Sequence, residues 1–289
     1  MMRIPRRYRI AAVIIAVLLA VFWMFRPRPL TAVFLAVGDG LCVVMETPSG
    51  HTVMIDCGNQ NTEDEGRQAA MTAERCLSRM GKSKIDVLFI THPHNDHFSG
   101  LPILLRRKPV KNIMIPYNQS AGDYGYGRVL DLGRSYGAEI TTLAAGAKIP
   151  LGGGCAAKVY SPVRRHENDN DNSLIMKITA GKRSILITGD AEKTAEEEVL
   201  AERADINSDV LQVGHHGSAS STSEDFLRAA APQYAVISCK GGGRFKFPSP
   251  ETLRVLDKCH VKTYITGYDG AVEVKLTLTG VKVKTYTSK

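Results

Sequence analysis

The feature that most constrains this chain is the segment THPHNDHFSG, residues 91–100, which directly follows the apolar run IDVLFI. It places His92, His94 and His97, three of the chain's eight histidines, together with Asp96 within six positions. A short, continuously apolar run predicts a strand that is covered on both faces. Imidazole and carboxylate groups are ligands that divalent zinc, manganese or iron accept. The segment therefore predicts a metal site at the end of a strand, and the alternative is a cluster of solvated loop histidines.

Three other apolar runs also end in candidate ligands. SILITGD ends in Asp190, DVLQVGHHG contains His215 and His216, and TVMIDCG contains Asp56. Each has an ordinary explanation when taken alone, because an aspartate after a strand is commonly a helix cap and a histidine pair is commonly exposed. Open α/β sheets, however, place their sites at the carboxyl ends of their strands. We therefore expect all four strand ends to meet at one rim, with Asp190 between two ions and Asp56 fixing the tautomer of a ligating histidine.

The order of apolar runs predicts an α/β fold. TAVFLAV, LCVVMET and HTVMIDCG read as three successive strands, and a helical pattern spans roughly residues 66–80. Further apolar runs alternate with helical segments at 192–203 and 223–230, so the rhythm of the first half recurs in the second. This pattern predicts two sheets covered by helices, in one domain over residues 30–289.

Residues 1–29 predict a signal anchor or transmembrane segment. The unbroken apolar run from Ile10 to Phe25 is preceded by RRYR and followed by RPRP. As a helix it would extend about 24 Å, against about 30 Å for the hydrocarbon core, and flanking arginines can close that gap. The excess of basic residues before the run places the N-terminus in the cytoplasm and the body outside. We expect a single-pass protein of the cell membrane with an extracytoplasmic body; the alternatives are a cleaved signal with secretion, or a buried helix.

The net charge of +8 does not by itself indicate a nucleic-acid partner. Six arginines and no acidic residue lie within residues 1–28, which leaves 31 basic residues against 29 acidic ones in the rest of the chain. A nearly neutral body provides no bulk attraction for a polyanion. Binding to nucleic acid would therefore need a local basic patch.

The pattern H-x-H-x-D-H after a strand, with the later aspartate and histidines, resembles the metallo-β-lactamase superfamily of binuclear hydrolases. FLAVGDG, MIDCG, THPHNDHFSGL, NDNSLIMKI, ILITGDA, DVLQVGHHGS and FPSPETL together resemble the extracytoplasmic hydrolase domain of ComEC-type competence proteins. This similarity runs from about residue 33 to residue 270. It implies an αβ/βα sandwich and a site with two divalent ions, zinc or manganese.

The resemblance implies a role for each candidate ligand. The first metal would take His92 and His94, the second would take Asp96, His97 and His216, and Asp190 would bridge. The catalytic residues would be Asp96, Asp190 and His215, and His215 would face the substrate.

The chain departs from the family pattern at two places. The superfamily usually has another histidine for the first metal where this chain reads RRHENDNDNSL, and Asn172 is the nearest match, with His166 as a possible replacement. ComEC-type chains often have a histidine in their late HPSPE motif, where this chain has Phe247. Lys246 could partly substitute for that histidine in binding phosphate, and Ser218 could donate to a substrate phosphate or cap a helix.

The implied function is a membrane-anchored, outward-facing metal-dependent phosphodiesterase, most simply a nuclease linked to DNA uptake that acts on single-stranded DNA. Two divalent ions lower the pKa of a bound water molecule to about 7, so that hydroxide can attack phosphorus. Because only one apolar run of that length occurs, a separate channel protein would have to transport the DNA. Two alternatives are a phosphoesterase that acts on cell-wall or lipid headgroup phosphates and a non-catalytic binding protein on the same fold.

Overall fold

Two mixed β-sheets form the framework of the protein, in a computed structural model that describes residue 8 and residues 12–17, 28–59, 62–117, 124–242 and 246–287. The first sheet has the strand order β15-β14-β1-β2-β3-β4-β5-β6 and the second β13-β12-β11-β10-β9-β8-β7. The strands of the first sheet are β1 (Leu30–Phe34), β2 (Val43–Glu46), β3 (Thr52–Ile55), β4 (Ile85–Phe89), β5 (Val110–Pro116), β6 (Glu139–Leu143), β14 (Ala271–Thr277) and β15 (Gly280–Tyr286). Those of the second are β7 (Lys148–Gly152), β8 (Cys155–Ser161), β9 (Ile175–Ala180), β10 (Arg183–Ile187), β11 (Val210–Gln212), β12 (Tyr234–Ile237) and β13 (Lys262–Ile265).

The helices lie in two sets along the chain. The first set is α1 (Glu63–Arg79), α2 (Asn95–Phe98), α3 (Leu101–Leu104) and α4 (Tyr124–Ser135). The second set is α5 (Lys193–Ala201), α6 (Glu224–Ala230), α7 (Pro250–Lys258) and α8 (Thr266–Asp269). Short 3₁₀ turns occupy Asp169–Asn172 and Gly214–Gly217. Helices connect the parallel strands β3, β4, β5 and β6 and the strands from β10 to β14, as the alternation in the sequence predicts, whereas β1–β3, β7–β8, β9–β10 and β14–β15 follow one another without a helix.

Three apolar clusters establish the layers. One is made by facing residues of both sheets, the second joins the first sheet to the first helix set, and the third joins the second sheet to the second set. The two sheets thus pack against each other with helices outside both, which is an αβ/βα sandwich. The predicted fold of the body is confirmed.

Helix α1 begins three residues before the predicted start at residue 66. The Thr62 side chain accepts the Glu65 backbone N–H at 3.2 Å, and the Glu65 carboxylate accepts the Thr62 backbone N–H at 3.3 Å. This capping box satisfies two backbone donors that a helix N-terminus otherwise leaves unpaired. The boundary is thus set by polar residues that carry no apolar periodicity.

The predicted anchor lies mostly outside the described residues. Of its apolar run, residues 12–17 are described, as helix. Across the described parts of the chain, no helix combines the length and the hydropathy needed to cross a membrane.

Phe34 offers a direct test of the interface between the sheets. Its side chain is fully buried in the cluster that both sheets share. We expect Phe34→Ala to lower the free energy of unfolding by about 3–5 kcal/mol, because truncation removes buried area and leaves a cavity. Urea unfolding followed by circular dichroism measures this loss, and a loss below about 1 kcal/mol would contradict the assigned packing.

Candidate metal centre

The predicted ligands lie at the carboxyl ends of parallel strands. Strands β3 and β4 are parallel, as are β10, β11 and β12, and each of the four predicted segments follows one of them. The ligand atoms of Asp96, His97, Asp190 and His216 all lie within 4.8 Å of one another. The structure therefore brings together side chains from three strand ends that are far apart in sequence.

The segment after β4 turns directly into a short helix. His94 precedes α2 in an extended conformation, and Asp96 and His97 lie on the helix. Gly58 allows this helix to approach closely, because a Cβ atom there would lie 2.4 Å from the Asp96 carbonyl carbon. Any side chain at Gly58 would therefore push Asp96 and His97 out of position.

Asp190 stands on a tight turn after β10. Gly189 has a φ of 54°, and a Cβ atom there would lie 2.8 Å from the Thr91 Cβ atom. The Gln212 side chain accepts the backbone N–H groups of Thr188 and Gly189 at 2.9 and 2.8 Å. The Asp190 N–H donates to the Ser173 hydroxyl at 3.2 Å. These bonds hold the carboxylate of Asp190 in a fixed place although it lies in a turn.

His215 and His216 both have left-handed backbone conformations, with φ values of 47° and 55°. Such conformations are uncommon for residues other than glycine and cluster at functional sites. The His216 Nδ1 atom lies 2.8 Å from the Ser238 carbonyl oxygen. Its Nε2 atom faces the cluster, 3.2 Å from Asp96 Oδ2 and 3.4 Å from Asp190 Oδ2.

His97 is oriented by the carboxylate of Asp56. The His97 Nδ1 atom lies 2.7 Å from Asp56 Oδ2, and both side chains are fully buried. Asp56 also accepts the backbone N–H and the hydroxyl of Thr91, at 2.8 and 2.7 Å. Metal-binding histidines characteristically donate their second N–H to a carboxylate or a carbonyl oxygen. His97 and His216 both follow this pattern.

Two buried atoms at the centre have no hydrogen-bond partner among the described residues. They are His97 Nε2 and Asp190 Oδ1, which lie 3.1 Å apart. Buried polar atoms are nearly always satisfied. A divalent cation would accept a lone pair from each atom, so the donor set fits a metal site.

The electrostatics of this cluster favour ionised carboxylates. Burial alone would raise the pKa of Asp190, but the neighbouring His216 and His97 hold it well below its usual range. Burial alone would lower the pKa of His97, but the charges of Asp190, Asp56 and Asp96 together raise it to about 10. The pKa of His216 is also raised well above its usual value, against burial, by Asp190 and Asp96. Without a metal, protons therefore occupy these two histidines at neutral pH.

Metal binding should release those protons. Coordination needs neutral imidazole, so a cation must displace the protons on His97 and His216. We expect net proton release at pH 7, and an affinity that increases as pH rises from 7 towards the His97 pKa of about 10. Calorimetric titration of the metal-free protein with zinc, in buffers of different ionisation enthalpy, measures this release. Buffer-independent heats at pH 7 would contradict the assignment.

His92 and His94 form a second pair of donors beside Asp190. His92 Nε2 lies 3.0 Å from His94 Nδ1 and 4.0 Å from Asp190 Oδ2. Burial, with the charge of His97, lowers the pKa of His92 well below its usual value, so that its imidazole is neutral. This pair is suited to a first metal, with Asp190 between the two donor groups.

Asn172 and His166 bond to each other. The Asn172 amide accepts the His166 backbone N–H at 2.8 Å and donates to the His166 carbonyl oxygen at 2.9 Å. The His166 Nε2 atom lies 3.0 Å from Glu198 Oε2. The His166 ring therefore contacts Glu198 of α5, and the Asn172 amide holds the backbone of His166.

The remaining predicted residues lie at the rim of the cluster. His215 Nε2 lies 3.9 Å from Asp190 Oδ2, and its Nδ1 atom lies 3.0 Å from Glu192 Oε1. The Phe247 ring packs 5.8 Å from the His215 ring and 5.9 Å from the His216 ring. The hydroxyl of Ser218 contacts that of Ser220 at 2.9 Å, and Lys246 is exposed beside Phe247. Only His215 of the predicted substrate-facing residues directly approaches Asp190.

Sequence reasoning missed the residues that support the ligands, including Ser173 and Gln212 at the Asp190 turn. Thr91 holds Asp56, Glu192 holds His215, and Ser238 holds His216 through its carbonyl oxygen. Thr91 and Glu192 were detectable in principle, since each lies within two positions of a predicted ligand. Ser238 contributes only a backbone oxygen, and no side-chain pattern signals it.

Residues 35–241 match the metallo-beta-lactamase superfamily. The chain is 30% identical over 200 residues to "ComE operon protein 3" of Bacillus subtilis, which covers 69% of this chain and 26% of that protein. It is 27% identical over 273 residues to "Competence protein ComA" of Neisseria gonorrhoeae, covering 92% of this chain and 36% of that protein. The chain thus spans about a quarter to a third of the length of these curated relatives.

A solved structure shares the architecture. CmlA, a diiron beta-hydroxylase from Streptomyces venezuelae, superposes with a TM-score of 0.56 and 16% identity, covering 86% of this chain and 54% of the CmlA chain. At this level of identity the likeness concerns the fold alone.

Proposed function

The chain belongs to the metallo-beta-lactamase superfamily, and we propose that it is a phosphodiesterase with two divalent metal ions, most simply a nuclease. The observation that carries the proposal is the largely buried cluster of Asp96, His97, Asp190 and His216 within 4.8 Å, with the pair His92 and His94 beside it. Carboxylate and imidazole donors of this kind suit zinc or manganese.

The ligands divide between two ions around Asp190. His92 and His94 would hold the first ion, and Asp96, His97 and His216 the second, with the Asp190 carboxylate between them. When bound, the two ions supply an activated water and neutralise the charge that develops on phosphorus.

The protein's own residues orient this chemistry. Asp56 holds His97 and the Ser238 carbonyl holds His216, so that each Nε2 atom faces the cluster. His215 lies partly exposed at the rim, with its Nδ1 atom directed to Glu192. We assign it to the side that the substrate approaches. Preorganised donors of this kind need no rearrangement during the reaction.

The names of two relatives support a role in competence. The matched proteins include one named for competence and one named for the ComE operon. We infer that this chain acts on single-stranded DNA outside the cell membrane, held there by residues 1–29, and that a separate channel protein transports the DNA. The absence of a histidine at Phe247 favours the second candidate, a protein that binds the same phosphate groups without turnover.

A substrate panel tests the proposal. The purified full chain is loaded with manganese or zinc and given labelled single-stranded DNA, bis(p-nitrophenyl) phosphate, phospholipid vesicles and a chromogenic β-lactam. We expect metal-dependent cleavage of the DNA and of the small diester. Cleavage of phospholipid alone would move the assignment to headgroup phosphates, and a metal-loaded protein that cleaves none of them would overturn the enzymatic proposal.

A further inference from the structure

A cavity of about 370 Å³ opens beside the metal-binding segment. It lies between the start of α1, the residues of α2 and α3, and helix α4. Residues that line it include Asn95, Phe98, Pro102, Arg106, Arg128 and Leu132. Asn95 stands between His94 and Asp96 in the chain, so one residue of the cavity lining is the chain neighbour of two predicted ligands.

Two arginines at this cavity are available to an anion. Arg106 and Arg128 are both exposed, and neither forms an ion pair with a carboxylate in the described parts of the chain. Arg106 donates one N–H to the Pro102 carbonyl oxygen at 2.5 Å, which leaves other guanidinium donors unused. The neighbouring Arg107, by contrast, pairs with Glu74 at 2.8 Å. One acid, Glu63, also lines the cavity, so the positive charge of its lining exceeds the negative charge by one.

The packing fixes this cavity relative to the metal centre. Phe98, on the helix that carries Asp96 and His97, contacts Tyr126 on α4 with ring centroids 5.5 Å apart. Both rings are almost fully buried. Because Arg128 lies two positions after Tyr126 on α4, its backbone is held at a constant place beside the metal-binding helix.

We propose that Arg106 and Arg128 bind a second phosphate of a substrate whose hydrolysed phosphate lies at the metal centre. Guanidinium groups match phosphate oxygens bidentately, with charge-assisted hydrogen bonds. The proposal rests on the proposed function and deepens it, because a second phosphate site selects a chain of phosphodiesters over a headgroup with one phosphate. It also provides the local basic patch that a nearly neutral body needs to bind a nucleic acid.

Binding is measured separately from turnover. The full chain with Asp190→Asn binds a fluorescent single-stranded oligonucleotide in an anisotropy titration at several salt concentrations. Adding Arg106→Gln with Arg128→Gln should weaken binding about tenfold or more and lower the slope of log affinity against log salt by about 0.7, one single-stranded phosphate contact. Arg106→Lys with Arg128→Lys should retain most of the slope, because the charge remains.

The matched control is Arg75→Gln with Arg79→Gln, which removes the same charge from exposed positions further along α1. In proteins with the native Asp190, the ratio of kcat/KM for the oligonucleotide to that for bis(p-nitrophenyl) phosphate should fall in the Arg106/Arg128 variant and hold in the control. Equal losses in both pairs, an unchanged salt slope, or no oligonucleotide binding by the parent would overturn the second phosphate site. Failure of the proposed function is a different result, namely no hydrolysis of bis(p-nitrophenyl) phosphate by the native chain.

Discussion

Replacing Asp190 with asparagine should abolish metal-dependent hydrolysis and lower the metal content of the protein. Asp190 lies 3.1 Å from His97 Nε2, 3.4 Å from His216 Nε2 and 4.0 Å from His92 Nε2, so its carboxylate contacts both groups of donors. We expect a loss of more than about 100-fold in kcat/KM, since even the loss of a partner that only orients a ligand costs 10–100-fold.

The measurement is hydrolysis of bis(p-nitrophenyl) phosphate together with metal content by inductively coupled plasma mass spectrometry. Asp209→Asn is the matched control, because Asp209 accepts the Ser184 N–H at 2.8 Å at the opposite end of β10. If the Asp190→Asn variant kept its metal and its activity, the assignment of Asp190 to the metal centre would be wrong.

Replacing Asp56 with asparagine should weaken metal binding without removing a ligand. The Asp56 carboxylate accepts three hydrogen bonds, two from Thr91 and one from His97 Nδ1. An amide at this position keeps only one acceptor oxygen and brings an N–H₂ group towards existing donors. We therefore expect metal affinity and activity to fall by roughly 10–100-fold, with the imidazole of His97 no longer held in one tautomer.

Competition with a chromophoric chelator measures the affinity of each variant. Asp86→Asn provides the control, because Asp86 accepts the Thr52 N–H at 2.8 Å in the same sheet but away from the ligands. If the Asp56 variant bound metal as tightly as the Asp86 variant, the orienting role of Asp56 would be wrong.

Much of the centre could be predicted from the sequence because its residues follow buried strands. IDVLFI and SILITGD are apolar on both faces and end abruptly in polar residues, so each strand end marks a ligand position. Parallel strands align those ends, which is why Asp96 and Asp190 meet although they lie far apart in the chain. The two-sheet fold followed from the same alternation.

Other features depend on tertiary contacts that no local pattern records. Asn172 matched a family motif, yet the structure uses its amide to hold the backbone of His166. The left-handed backbone of His215 and His216 points their side chains in different directions. Of these two residues, only His216 lies within 3.5 Å of two carboxylates of the cluster. The cavity at Arg106 and Arg128 arises where helices α1 to α4 meet, and its two arginines come from separate segments of the chain. Helices α4 and α7 were not among the predicted helices, although Ser249 as N-cap and Pro250 in the first turn of α7 are a typical helix start.

The most direct test of the account is anomalous diffraction from crystals of the full chain soaked in manganese. We expect two peaks roughly 3.5–4 Å apart, as in other two-metal sites, on either side of the Asp190 carboxylate. The peak near His92 and His94 would belong to the first ion, and the peak near Asp96, His97 and His216 to the second. Peaks located away from Asp190, or no bound manganese in a crystal that retains the fold, would contradict the binuclear centre.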